Sequence, residues 1–353
     1  MSGTARLRAL ACARPSQDIH HAFIRWAANR IADPRTRRLF ERMADRSAID
    51  HRWSVLPPGK NGGSPVDHEG FYAGKHAPGT SERMALYARL APELAMQAIE
   101  KLNFDPAEVT HIVVASCTGF VAPGIDQIIA RHLHLAPSVE RLLIGFMGCY
   151  AGVTALRAAR HIVRSQPDAV VLMVSVELST LHLEDTDAIE PLLAMLQFSD
   201  GAAAGIIDGR SGPGVMLGDG ISLALPQSDE LIRWDIGEQG FVMRLSGEVP
   251  ARIEAALHDG STQTALFGND APTHLAIHAG GRSILDAVER ALALPPQALA
   301  ASRAVLAECG NMSSATVLFV IERLRRDAAS GPGLALAFGP GLAAEAIRLD
   351  FIP

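Results

Sequence analysis

THIVVASCTG (110–119) and THLAIHAGG (273–281) enter an apolar stretch through the same Thr-His pair and leave it at a small-residue turn. Reading them as two copies of one unit decides the fold. Cys149 follows Thr110 by 39 residues and Asn311 follows Thr273 by 38. Each sits in a Gly-X pair that opens a helical pattern, GCYAGVTALRAARHIV (148–163) and GNMSSATVLFVIERLRRD (310–327). A further 28 residues on, Glu177 and Gly339 end the apolar runs AVVLMVSVE (169–177) and LALAFG (334–339). Two halves therefore share one strand, helix and strand layout at an offset of about 162 residues. The plainer alternative is the common spacing of unrelated βαβ units. If the repeat is a duplication, the two helices pack about a pseudo-dyad with their N-termini converging, and Cys149 faces Asn311.

The runs 112–116, 169–177 and 274–280 are short, aliphatic and nearly uncharged, as strands buried on both faces are. Between them Val153, Leu156, Ala159 and Ile162/Val163 recur at helical spacing, so the class is α/β. The Gly- and Pro-rich stretches 56–80 and 208–220 are expected to be connections. The halves are placed at 1–220 and 221–353.

Composition narrows the function. The 353 residues are 48% hydrophobic and 20% charged, enough to bury a large core and too apolar for a disordered chain. A net charge of -6 and the absence of long like-charge blocks argue against a nucleic-acid partner or an anionic membrane surface. Four dispersed cysteines (Cys12, Cys117, Cys149, Cys309), no C-x-x-C and no leader-like start place the chain as a soluble protein of the reducing cytoplasm. No Walker A sequence, Rossmann glycine fingerprint or G-x-S-x-G elbow is present. The paired histidines His20/His21 and His132/His134 lack a third ligand nearby, so no metal is expected.

A cysteine at the first position of a helix is where a reactive thiol belongs, because free N–H groups and the positive dipole end favour thiolate and oxyanion. The alternative is a small buried hydrophobe. Cys12 and Cys309 read as packing residues, the first in a strand and the second beside a helix start. His278 ends an apolar strand, where an open α/β sheet places its site, and a neutral imidazole there can donate or accept a proton. Asn311, after Gly310, is either a helix cap or a second donor to an oxyanion. Together Cys149, His278 and Asn311 supply an acyl-accepting thiol and a donor pair for an enolate or thioester oxygen.

GCYAG around Cys149, FSDGAAAG (198–205), IHAGGRSILDAVE (277–289), GNMSSATVLF (310–319) and FGPGLAAEAI (338–347) resemble the signature blocks of type III polyketide synthases, the chalcone synthase family of the thiolase superfamily, in a bacterial-type member. The resemblance runs in register from about residue 5 to the C-terminus. It implies a five-layered αβαβα thiolase fold with two pseudo-duplicated halves, and a homodimer. It implies that Cys149 is acylated by a starter CoA thioester and kept as thiolate by pairing with His278. His278 and Asn311 would promote decarboxylation of malonyl-CoA, hold the enolate and assist repeated Claisen extension before cyclisation to a pyrone, resorcinol or other phenolic product. The substrates are small-molecule CoA thioesters, with no further cofactor. Phe198 matches a gatekeeper between CoA tunnel and cavity. The second gatekeeper aligns with Met243, and Phe241 lies two residues earlier, so either side chain could line the tunnel. Cys117, His182 and Trp234 are expected to shape the cavity. Arg42 and Arg46 match CoA-phosphate contacts, whereas Leu39 stands where the family carries lysine. The rival readings are an initiating β-ketoacyl synthase that uses an acyl carrier protein, and a non-catalytic CoA-thioester binder of the same fold.

Overall fold

A computed structural model describes residues 4–67, 69–73, 77–267 and 272–353, so the expected connection 56–80 lies partly outside the described residues. The chain runs β1 (Ala5–Ala13), β2 (Gln17–Asp18), α1 (His20–Arg30), α2 (Pro34–Asp45), β3 (Trp53–Ser54), α3 (Thr80–Ile99), β4 (His111–Ser116), α4 (Ile125–His132), β5 (Glu140–Gly145), α5 (Ala151–Ser165) and β6 (Val170–Leu178). It continues with α6 (Ile189–Met195), β7 (Asp200–Asp208), β8 (Gly214–Ala224), β9 (Ile232–Gly237), β10 (Gly240–Leu245), α7 (Val249–His258) and α8 (Gly260–Phe267). The last part holds β11 (His274–Ile277), α9 (Arg282–Ala291), α10 (Ala300–Cys309), α11 (Thr316–Arg326), β12 (Gly331–Gly339) and β13 (Ala343–Ile352).

Nine strands form one mixed sheet in the order β11-β12-β13-β8-β1-β7-β6-β4-β5. Read outward from the antiparallel β8–β1 seam, the order is the same on both sides: β8, β13, β12, β11 on one and β1, β7, β6, β4 on the other. The directions match too, since β4–β6 and β11–β12 are parallel whereas β6–β7 and β12–β13 are antiparallel. The repeat in the sequence is thus a repeat in topology, and β5 has no counterpart among the described residues of the second half.

Strand alternation builds the layers, because successive side chains point to opposite faces. Ile112 and Val114 face an outer apolar cluster with α3, while Val113 and Ala115 face the centre. In the second half Leu334 and Leu336 face an outer cluster with α7 and α9, while Ala335 and Ala337 face the same centre. That centre is filled by α5 (Val153, Leu156, Ala159, Val163) and α11 (Val317, Leu318, Val320, Ile321). Helices, one half of the sheet, two buried helices, the other half of the sheet and helices give the five layers.

Several boundaries differ from the sequence expectation. The stretch 208–220 is a connection only over 209–213, since β8 takes the chain from Gly214 onward and buries Val215 and Leu217 beside β1. β11 stops at Ile277, so His278 lies just beyond the strand. Cys309 ends α10 rather than adjoining a helix start.

Candidate active site

The two buried helices bring the site together. Cys149 is not the first helical residue: it precedes the α5 cap Tyr150 and follows Gly148, whose φ is +81°. A Cβ at Gly148 would sit 2.3 Å from Cδ of Pro340, so only glycine lets this loop pass the β12–β13 turn. A Cβ at Gly152 would lie 2.2 Å from the Ser314 carbonyl oxygen. The first turn of α5 therefore rests directly on the 3-10 turn Ser313–Ala315 that follows Asn311. Asn311 precedes that turn rather than beginning α11. Its Oδ1 accepts from the Ser313 N–H at 2.9 Å and its Nδ2 donates to the Gly280 carbonyl at 3.1 Å, leaving a second amide proton for a ligand. The N-cap of that turn is Met312 and that of α11 is Ala315, so Asn311 is not the helix cap. His278 is fixed by its backbone N–H to the Leu336 carbonyl at 2.8 Å, and neither buried ring nitrogen has a partner among the described residues.

Cys149, His278 and Asn311 border one cavity of about 510 Å³, with Phe198, Met243, Ile253 and Phe338 among its apolar walls. Burial pushes the Cys149 thiol up to about 12, against hydrogen bonding from Ser313 and Asn311, which acts to lower it. Burial holds the His278 imidazole down at about 3. Burial in an enclosed site thus disfavours the charged form of each, the thiolate and the imidazolium.

Phe198 and Met243 also border a second compartment of only about 20 Å³, reached by His182 and Trp234. The His182 Nε2 donates to the Thr118 carbonyl at 2.7 Å and its Nδ1 accepts from the Phe241 N–H at 2.9 Å, which fixes a neutral tautomer. The ring stacks on Phe241 at 4.3 Å, and Trp234 meets both edge-on. Met243, not Phe241, therefore borders the cavity, because Phe241 is locked in this stack. Cys117 borders neither space: its sulfur accepts from the Gly148 N–H at 3.0 Å, and its carbonyl accepts from the Trp234 indole at 2.8 Å. Arg42 on α2 and Arg46 at its C-cap also stand off the cavity, exposed on either side of Met43, which lines it.

Three buried residues that support the site are not among the candidate site residues read from the sequence. Arg52 donates to the carbonyls of Met195 (2.7 Å) and Phe198 (2.9 Å), and desolvation pulls its guanidinium down to about 9. Glu177 accepts from the Cys117 N–H at 2.9 Å, from Thr118 Oγ1 at 2.8 Å and from the Ser314 hydroxyl, joining the turns after β4 and before α11. Burial lifts its carboxyl to about 7. Ser313, at φ +48°, holds a left-handed backbone conformation and acts to lower the Cys149 thiol. A lone Arg or Glu carries no periodic signal; only the repeat position of Glu177 marked it. Among the described residues no group of three or more His, Cys, Asp or Glu could hold a metal ion, and no helix is long and apolar enough to cross a membrane.

Family models for chalcone and stilbene synthases match the chain, the N-terminal domain over residues 1–211 and the C-terminal domain over 220–353. The chain is 31% identical over 349 residues to "Alpha-pyrone synthesis polyketide synthase-like Pks18" of Mycobacterium tuberculosis, covering 92% of this chain and 86% of that protein. It is 33% identical over 307 residues to the bisdemethoxycurcumin synthase of Oryza sativa subsp. japonica, covering 79% and 75% respectively. Among solved structures, the C-terminal type III polyketide synthase domain of Steely1 from Dictyostelium superposes with a TM-score of 0.90 at 26% identity, over 99% of this chain and 100% of that one. PKS-I from the brown alga Ectocarpus siliculosus gives 0.89 at 27%, over 100% and 99%.

Proposed function

The chain belongs to the chalcone and stilbene synthase family, making it a type III polyketide synthase, an acyltransferase that uses malonyl-CoA, and on that premise we propose that Cys149, His278 and Asn311 carry its chemistry. The observation behind this reading is that the three residues, one from the first half and two from the second, border a single cavity. His278 takes the Cys149 proton, and the sulfur attacks the carbonyl of an acyl-CoA. The C–S bond to CoA breaks and CoA leaves as the thiol. Malonyl-CoA then loses its carboxylate as CO₂, leaving its electron pair as an enolate whose oxygen accepts from His278 and the free Asn311 amide proton. The enolate carbon attacks the Cys149 thioester, a carbon–carbon bond forms, and the Cys149 sulfur leaves for the next cycle.

Phe198 and Met243 form the gate, and Arg42 and Arg46 lie on the helix at its mouth, where they meet the CoA phosphates. The filled compartment behind the gate favours a short chain that closes as a compact pyrone over a large phenolic product. The edge strand β5 leaves Leu142 and Leu143 exposed beside Phe120, the apolar rim through which two copies pair as a homodimer. Four free thiols fit the reducing cytoplasm. Incubating the protein with a panel of acyl-CoAs and malonyl-CoA tests the reading: CO₂ release with new polyketide products is expected, and neither CO₂ nor product from any starter overturns it.

A further inference from the structure

The helix at the cavity mouth carries more than cations. Along α2 and its C-cap Arg46, the side chains of Arg35, Arg38, Leu39, Arg42, Met43 and Arg46 are all exposed. They recur at three- and four-residue steps, so they form one outward stripe on a helix roughly 18 Å long. Phe40 and Ala44 anchor the opposite face in the core, and Asp33 caps the N-terminus by accepting from the Thr36 N–H at 2.8 Å. None of the four stripe arginines is in an ion pair with another described residue, although Glu41 and Asp45 share the helix. Leu39 and Met43, one turn apart, are 42% and 44% exposed, two of six large hydrophobic side chains left that open among the described residues. Four free cations on a chain of net charge -6 mark a local reversal of sign.

The stripe leads into the site. Met43 lines the cavity, and the Arg46 carbonyl accepts from the Arg282 guanidinium at 3.2 Å, tying the end of α2 to the start of α9. Ser283 and Ile284 on α9 line the same cavity. Phosphates alone would call for cations; an exposed leucine and methionine set among them match a partner with acidic side chains flanking an apolar ridge. Resting on the synthase reading above, we propose that α2 docks an acyl carrier protein, a small acidic helical protein that delivers its acyl or malonyl thioester on a phosphopantetheine arm past Met43 to Cys149. The arm is the one CoA also carries, so the same cavity serves both donors, and Leu39 contacts the protein alone.

The test compares malonyl-CoA with a malonyl-charged bacterial fatty-acid acyl carrier protein as extender, in wild type and in Leu39→Gln, which leaves the charge unchanged. Wild type condenses from both. Leu39→Gln raises KM for the carrier protein by roughly tenfold, the loss of one buried leucine contact, and leaves KM for malonyl-CoA within about twofold. The carrier-dependent rate also falls more steeply with added salt. Turnover of malonyl-CoA with none from the carrier protein, or equal KM changes for both, overturns the docking surface and leaves the synthase reading standing. Turnover with neither overturns the synthase reading itself.

Discussion

Phe198 and Asn311 pair across an isolated parallel bridge: the Asn311 N–H donates to the Gln197 carbonyl at 2.8 Å, and the Ser199 N–H donates to the Asn311 carbonyl at 2.9 Å. A gate residue of the first half and a catalytic candidate of the second are thereby held by one strip of backbone. Arg52 holds the other side of that strip through the Phe198 carbonyl, and its Cγ lies 3.0 Å from where a Cβ on Gly310 would sit.

Arg52 is accordingly a positioning residue. Arg52→Met should lower kcat by on the order of 10²-fold through misplacement of Asn311, while KM for malonyl-CoA changes far less. Arg52→Lys should recover part of the loss. A raised KM at unchanged kcat in a folded variant would show that Arg52 does not act through Asn311.

The division of labour between the halves predicts that Cys149→Gln abolishes extension and retains malonyl-CoA decarboxylation, because His278 and Asn311 remain. Asn311→Ala should cost about 10²- to 10³-fold in decarboxylation by removing one oxyanion donor. Release of ¹⁴CO₂ from labelled malonyl-CoA measures both, and a folded Cys149→Gln that releases none contradicts the assignment.

Because burial holds the Cys149 thiol up, its deprotonation depends on a nearby acceptor. His278→Gln should slow alkylation of Cys149 by iodoacetamide at neutral pH by on the order of 10²-fold. An unchanged alkylation rate would remove His278 from the proton transfer.

Trp234, packed against His182 and Phe241, fills the space behind the gate. Trp234→Ala should open that compartment and shift the products toward longer starters or an added extension, read by mass spectrometry. An unchanged product profile in a folded variant would mean that the chain never passes Phe198 and Met243.

Glu177 links the site to pH. Its carboxyl is raised from the ordinary 4.5 to about 7 by burial, so the folded chain binds a proton that the unfolded chain releases. That contribution is fully present below about pH 4.5 and is lost as pH rises through about 7. Glu177→Gln, which cannot ionise, should therefore lose less thermal stability than wild type between pH 5 and 8. Parallel melting-temperature curves across that window would contradict the assignment.

Repeats and motifs carry much of the fold and of the candidate site. The Thr110 and Thr273 copies gave the topology, and Cys149, His278 and Asn311 came from positions relative to those copies. The five-layered frame came with the family resemblance. Other features depend on contacts with no local signature. The left-handed Gly148 places Cys149 ahead of its helix instead of on it. The stack of His182 and Phe241 decides that Met243 faces the cavity, and only packing reveals it. Arg52 and Glu177 act through partners more than 100 residues away in sequence.

If Cys149 carries the growing chain, that chain must appear as added mass on its sulfur. Intact-protein mass spectrometry after addition of an acyl-CoA, then of malonyl-CoA, tests it most directly. One acyl adduct on Cys149 is expected, absent in Cys149→Ala, and it extends by two-carbon units when malonyl-CoA is added. An unmodified Cys149 in a protein that still forms polyketide would contradict it.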